Sequence, residues 1–151
     1  NRRAQVVYEA LDGEDGVEDE IELPYNIDAP VIEIEDDDYG IFYLDALDDP
    51  KKYEDKKVQF TAMVYRGKEL PKGTFVPGRF AMTCCADDIA YSGLVCNFSA
   101  PPSLKTRDWV VVTAKVKLEN HKLYGGRRGP VLYALDCALT SAPKQEVATF
   151  Y

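Results

Sequence analysis

The feature that most constrains this chain is a pair of long alternating segments near its C-terminus. Val110, Val112, Ala114, Val116 and Leu118 are interleaved with Thr113, Lys115 and Lys117, the period of two expected of a strand with one buried face. Val131, Tyr133, Leu135, Cys137 and Leu139 repeat that period. The stretch between them, ENHKLYGGRRGP over 119–130, is rich in turn formers. The pair predicts two long strands joined by a hairpin tip.

Three more strands precede them. Val58, Phe60, Ala62 and Val64 alternate with Gln59, Thr61, Met63 and Tyr65. A loop follows, marked by Gly67, Pro71, Gly73, Pro77 and Gly78. Phe80, Met82 and Cys84 then form one face of a strand, and Leu94, Cys96 and Phe98 suggest another before Pro101-Pro102. Five strands with Gly and Pro junctions predict a mainly β fold, a small five-stranded antiparallel OB-like barrel, with a β-sandwich as the alternative. Ahead of them, Val31–Glu35 reads as a short strand. Tyr39–Asp48 reads as one short helix, with Asp38 as cap, Ile41, Leu44 and Leu47 on one face, and Pro50 beyond its end. Residues 1–30 read as an acidic N-terminal arm or loop and 31–151 as the barrel domain. Asp12, Glu14 and Asp15 resemble a calcium loop only in part.

Charge divides near the start of the first long strand. Residues 1–55 hold 19 acids and 4 bases, whereas 56–151 hold 7 acids and 14 bases, which sums to the net −8. The halves are expected to attract each other, within one chain or between copies. The overall sign argues against nucleic acid as partner. No apolar run approaches the roughly 20 residues of a membrane-spanning helix. The chain opens on Asn1 rather than Met, as expected of a fragment of a longer protein.

The sharpest local feature is the stretch from Arg79 to Asp88, which contains Cys84-Cys85. Neighbours on a regular strand point to opposite faces, so both thiols serve one site only if the strand ends or bulges. A metal reading takes Cys84, Cys85, Asp88 and Cys96 as ligands, with Asp87 and His121 as further donors. Thiolate and imidazole donors favour zinc. A redox reading uses Cys84 and Cys85 with Arg79 depressing a thiol pKa. The plainer reading makes Cys84, Cys96 and Cys137 small core residues. His121, the sole histidine, falls in the hairpin tip and reads as an exposed loop residue. Lys115, Lys117, Lys122, Arg127 and Arg128 make that hairpin basic. With Tyr65, Tyr124 and Tyr133 they form a second alternative, a single-strand nucleic-acid surface, against the plainer reading of a solvated hairpin facing the acidic half. Trp109 reads as a core or rim anchor.

One pattern extends from the helix to Trp109: Leu44, Leu47, Pro50, Tyr53, Lys57-Val58, Val64-Tyr65-Arg66, Arg79, Cys84-Cys85, Asp88, Gly93-Leu94 and Trp109-Val110. It resembles the C-terminal soluble domain of the YcgQ-like family of bacterial membrane-associated proteins, departing from it at Asp87 and Tyr91. The resemblance implies a parent protein anchored in the plasma membrane upstream of this domain and a YcgR-like predicted permease as partner. The expected function is that of a noncatalytic accessory domain binding a metal ion or small solute. Cys84, Cys85, Asp88 and Cys96 are its candidate site, with Arg79 behind them. A thiol-based redox or sensor domain is the alternative.

Overall fold

A computed structural model describes residues 22–82, 89–98 and 104–149. In chain order these form β1 (Ile32–Glu33), a 3-10 turn (Asp36–Asp38), α1 (Tyr39–Asp48), a second 3-10 turn (Pro50–Tyr53), β2 (Lys57–Tyr65), β3 (Thr74–Met82), β4 (Ile89–Gly93), β5 (Cys96–Asn97), β6 (Trp109–Asn120), a third 3-10 turn (Lys122–Tyr124), β7 (Arg128–Thr140) and β8 (Ala148–Thr149). The described chain is mainly β with one helix.

The pairings return on themselves. β2 pairs β6, β6 pairs β7, β7 pairs β5, β5 pairs β3, and β3 pairs β2. β4 lies beside β3. The expected all-antiparallel arrangement is corrected, because β1–β2, β5–β7 and β3–β8 are parallel. Eight strands also replace the expected five. The third expected strand, over Leu94, Cys96 and Phe98, is shortened to β5, and β4 is an added strand before it. β1 falls within the short strand expected over Val31–Glu35, and β8 is a two-residue addition at the margin. Inside lie Val58, Phe60, Ala62 and Val64 of β2, Phe75 and Ala81 of β3, Val110, Val112, Ala114 and Val116 of β6, and Leu132 of β7. Burying each of the larger of these aliphatic and aromatic side chains contributes about 1.5–3 kcal/mol.

Four expectations about side-chain direction are overturned. α1 keeps its expected ends, but it buries Tyr39, Phe42 and Ala46 while Leu44 and Leu47 are exposed. The aromatic residues win the inner face because Tyr39 and Phe42 both pack on Phe60, with Tyr53 edge-on to Phe42. Asp38 is buried and its side chain does not cap the helix. In β7 the pairing skips Leu135, since Ala114 faces Ala134 and Thr113 faces Asp136. This bulge switches the strand's parity. Leu132, Ala134 and Cys137 therefore pack inward, and Leu135 is 56% exposed. Pro77 and Gly78, read as loop, lie within β3, and the strand presents Arg79 to the interior and Phe80 outward.

Tyr25 and Ile27, from the stretch read as an arm, pack against the core, and the Tyr25 hydroxyl bonds that of Tyr53 at 2.6 Å. Residues 1–21 of that stretch, with Asp12, Glu14 and Asp15, lie outside the described residues. Among the described residues no helix is long and apolar enough to cross a membrane.

Candidate functional site

A groove of about 310 Å³ opens on the outer face of β2, β3 and β4. Met63, Val64 and Tyr65 line it from β2, Phe80 from β3, Tyr91 from β4, and Thr106 and Arg107 from the segment before β6. Its construction starts with two glycines. Gly78 and Gly93 are opposite each other, and a Cβ on Gly78 would sit 2.4 Å from the Ser92 carbonyl oxygen. Their bare backbones let β4 cross close to β3. The Tyr91 side chain then reaches across β3, where its hydroxyl shares one proton between the carbonyls of Met63 at 2.7 Å and Val76 at 2.8 Å.

This anchored ring supports its neighbours. Phe80 meets Tyr91 edge-on at 5.4 Å between ring centres, and the Tyr65 ring centre lies 6.0 Å from that of Tyr91. Phe80 is 37% exposed, so an apolar ring face is left at the surface. The Tyr65 hydroxyl donates to the Glu69 carboxylate. That bond raises the tyrosine pKa and lowers the glutamate pKa. Burial pushes the Tyr91 hydroxyl well above the ordinary tyrosine range. The two tyrosine hydroxyls of the groove therefore stay protonated at neutral pH and donate to acceptors within the protein.

Arg107 closes the rim. Its φ of +81° is in the left-handed region that favours glycine. The strain is sustained by a tight mesh: Arg107 N–H donates to Val64 O at 2.8 Å, Val64 N–H to Asp108 O at 2.8 Å, and Lys105 N–H to the Asp108 carboxylate at 2.9 Å. Arg66 is held beside it, donating from its backbone to Thr106 Oγ1 and from its guanidinium to Leu104 O.

The residues singled out from sequence are distributed differently. Cys84, Cys85, Asp87 and Asp88 lie outside the described residues. Cys96 is fully buried in the core, and burial raises its thiol pKa well above the ordinary value. That environment suits a packed thiol and disfavours a metal-binding thiolate. Cys137 is half-buried with its thiol pushed up to about 11, mainly by burial. Among the described residues no three His, Cys, Asp or Glu side chains come together as a metal site. Arg79 is 1% exposed and ion-paired with Asp36. It donates to Thr61 O at 3.1 Å and Gln145 O at 3.3 Å and lies 5.5 Å above the Trp109 ring.

In the basic hairpin the His121 and Tyr124 rings lie 6.0 Å apart, and the tyrosine hydroxyls are engaged locally. Tyr124 donates to Pro130 O, and Tyr133 donates to Glu119. His121 accepts from Leu123 N–H within the tip. Of the three tyrosines named with this hairpin, Tyr65 alone lines the groove. Phe80 and Tyr91 were missed as site residues because Phe80 shares its parity with Met82, which reads as a core face. An inward Arg79 was the needed clue, and burial preference argues against it.

No curated protein matches the chain. Among solved structures, a chain of the S. pombe Stn1–Ten1 complex is similar at 13% identity and TM-score 0.43, covering 77% of this chain and 80% of that one. Residues 14–147 match the family model described as the DUF1980 C-terminal domain, and the chain belongs to that family.

Proposed function

We propose that this domain is a noncatalytic binding module whose ligand sits in the Phe80–Tyr91 groove, and that it is the accessory part of a membrane-anchored bacterial protein working with a YcgR-like permease. The observation that carries the binding role is the groove itself, a concave surface with ring faces, one cation and hydroxyls that do not titrate near neutrality. Small-molecule sites have this mix of apolar wall and few polar groups.

The ring of pairings supports an OB-like barrel, with β2, β3, β4 and β5 taken together, β6 and β7 as its five strands in chain order. Such barrels carry ligands on the face of their second and third strands. Here those strands are β3 and β4, which supply Phe80 and Tyr91. The permease pairing rests on the resemblance of the pattern between Leu44 and Val110 to the YcgQ-like family.

Both parts are testable. Ring compounds that bind should raise the melting temperature of the 151-residue chain and be recovered chemically unchanged, because ligand at 100 times Kd adds about 2.7 kcal/mol. Turnover of a bound compound would overturn the noncatalytic reading. Purification of the full-length membrane protein in detergent should retain the permease, and its consistent loss would overturn the accessory role.

A further inference from the structure

Resting on that binding reading, we propose that the groove takes a small planar ligand bearing an anionic group, its ring against Phe80 and Tyr91 and its anion on Arg107. Three observations converge. First, the lining is apolar and aromatic at its centre, with the Phe80 ring partly open to solvent and fixed edge-on by Tyr91. An exposed ring braced in this way offers a face for stacking. Second, the guanidinium of Arg107 has no described hydrogen bond or ion pair, although the residue is held at positive φ by backbone bonds from β2. The fold thus accepts a strained arginine at a position that glycine would fill without strain. A guanidinium presents a planar fork suited to carboxylate or phosphate.

Third, the rim is cationic. Residues 65–69 and 104–108 hold Arg66, Lys68, Lys105 and Arg107 against Glu69 and Asp108. Both acids are already engaged, Glu69 with Tyr65 and Asp108 with the Lys105 backbone. This local positive field stands on a chain of net charge −8. A compact ligand with one anionic group meets the favourable field, whereas a long polyanion also meets the repulsion of the acidic half. The volume of about 310 Å³ accommodates one ring system with its substituent rather than a polymer.

The test compares matched ring compounds by amide chemical-shift titration of the 151-residue chain: phenyl phosphate against phenol, AMP against adenosine, and inorganic phosphate alone. The expected result is that at least one phosphate-bearing ring binds about 10-fold or more tighter than its neutral partner. Its shifts should centre on Phe80, Tyr91 and Arg107. Arg107→Gly relieves the backbone strain, so it should fold normally and abolish the preference for the anion. Phe80→Ala, at an exposed ring, should weaken the ring compounds without affecting the fold. Equal binding of the neutral partners in the groove would overturn the anion inference and leave the binding role standing. Inorganic phosphate binding as tightly as the ring phosphates would overturn the stacking role. Failure of every compound to shift the groove would overturn the inference together with the binding role.

Discussion

Arg79 and Asp36 are unequal partners. The guanidinium is 1% exposed and the carboxylate 45% exposed. Removing the carboxylate strands a buried cation beside only neutral acceptors, the carbonyls of Thr61 and Gln145, and the Trp109 ring. Breaking a fully buried pair costs about 3–5 kcal/mol. With one partner half in water, Asp36→Asn should lower stability by about 2 kcal/mol in urea unfolding. A loss below about 0.5 kcal/mol would show that the pair is not formed. Cys137 offers a second residue-scale check. Its thiol stays protonated up to about pH 11 in the folded chain, against an ordinary value of 9.0. The raised value means that folding binds this proton more tightly. Its contribution to stability is whole below pH 9 and lost as pH rises through about 11. At pH 8 the thiolate fraction should be about 100-fold below that of a free cysteine, since each unit is a factor of ten. Alkylation of Cys137 should be correspondingly slow, and labelling at the free-thiol rate would contradict the assignment. None of this is visible in sequence, where Arg79 reads as support for the Cys84-Cys85 site and Cys137 as one more apolar step.

At the scale of elements, α1 shows what the sequence reveals and what it does not. Its ends at Tyr39 and Asp48 follow from an acidic start and Pro50 beyond the end. Its buried face does not, because apolar residues occur all round and only tertiary contacts choose Tyr39, Phe42 and Ala46 over Leu44 and Leu47. Phe42→Ala should therefore cost about 3–5 kcal/mol, and Leu47→Ala less than about 0.5 kcal/mol. Equal losses would restore the face centred on Leu44 and Leu47. The β3–β4 crossing depends on Gly78 and Gly93. Gly78→Ala brings a methyl against the Ser92 carbonyl, which should cost about 1–3 kcal/mol and disturb the Tyr91 anchor. Pro77-Gly78 misled the sequence reading because turn-forming residues here serve a close crossing within a strand. The bulge at Leu135 was equally hidden, as an unbroken period of two does not reveal where a residue is skipped.

Across the whole molecule, the acidic front and basic back attract within one chain. Asp36 pairs with Arg79, Asp55 with Lys117, and Asp28 with Lys56 at 4.0 Å. Of these pairs only Asp36–Arg79, in the turn before α1, has a buried partner, and α1 itself is held by the packing of Tyr39 and Phe42 on Phe60. The mainly β class and most strand positions were legible because alternation survives in β2 and β6. The groove was not, because it needs Phe80 outward, Tyr91 reaching across β3, and Arg107 at positive φ, none of which follows from local pattern. That groove is the centre of the account. The most direct test is to map where a ring compound binds, by following backbone amide shifts while phenyl phosphate is added to the 151-residue chain. The account predicts that the largest saturable shifts fall on 63–65, 80, 91 and 106–107. Saturable shifts confined to the 121–128 hairpin, with the groove unmoved, would contradict it.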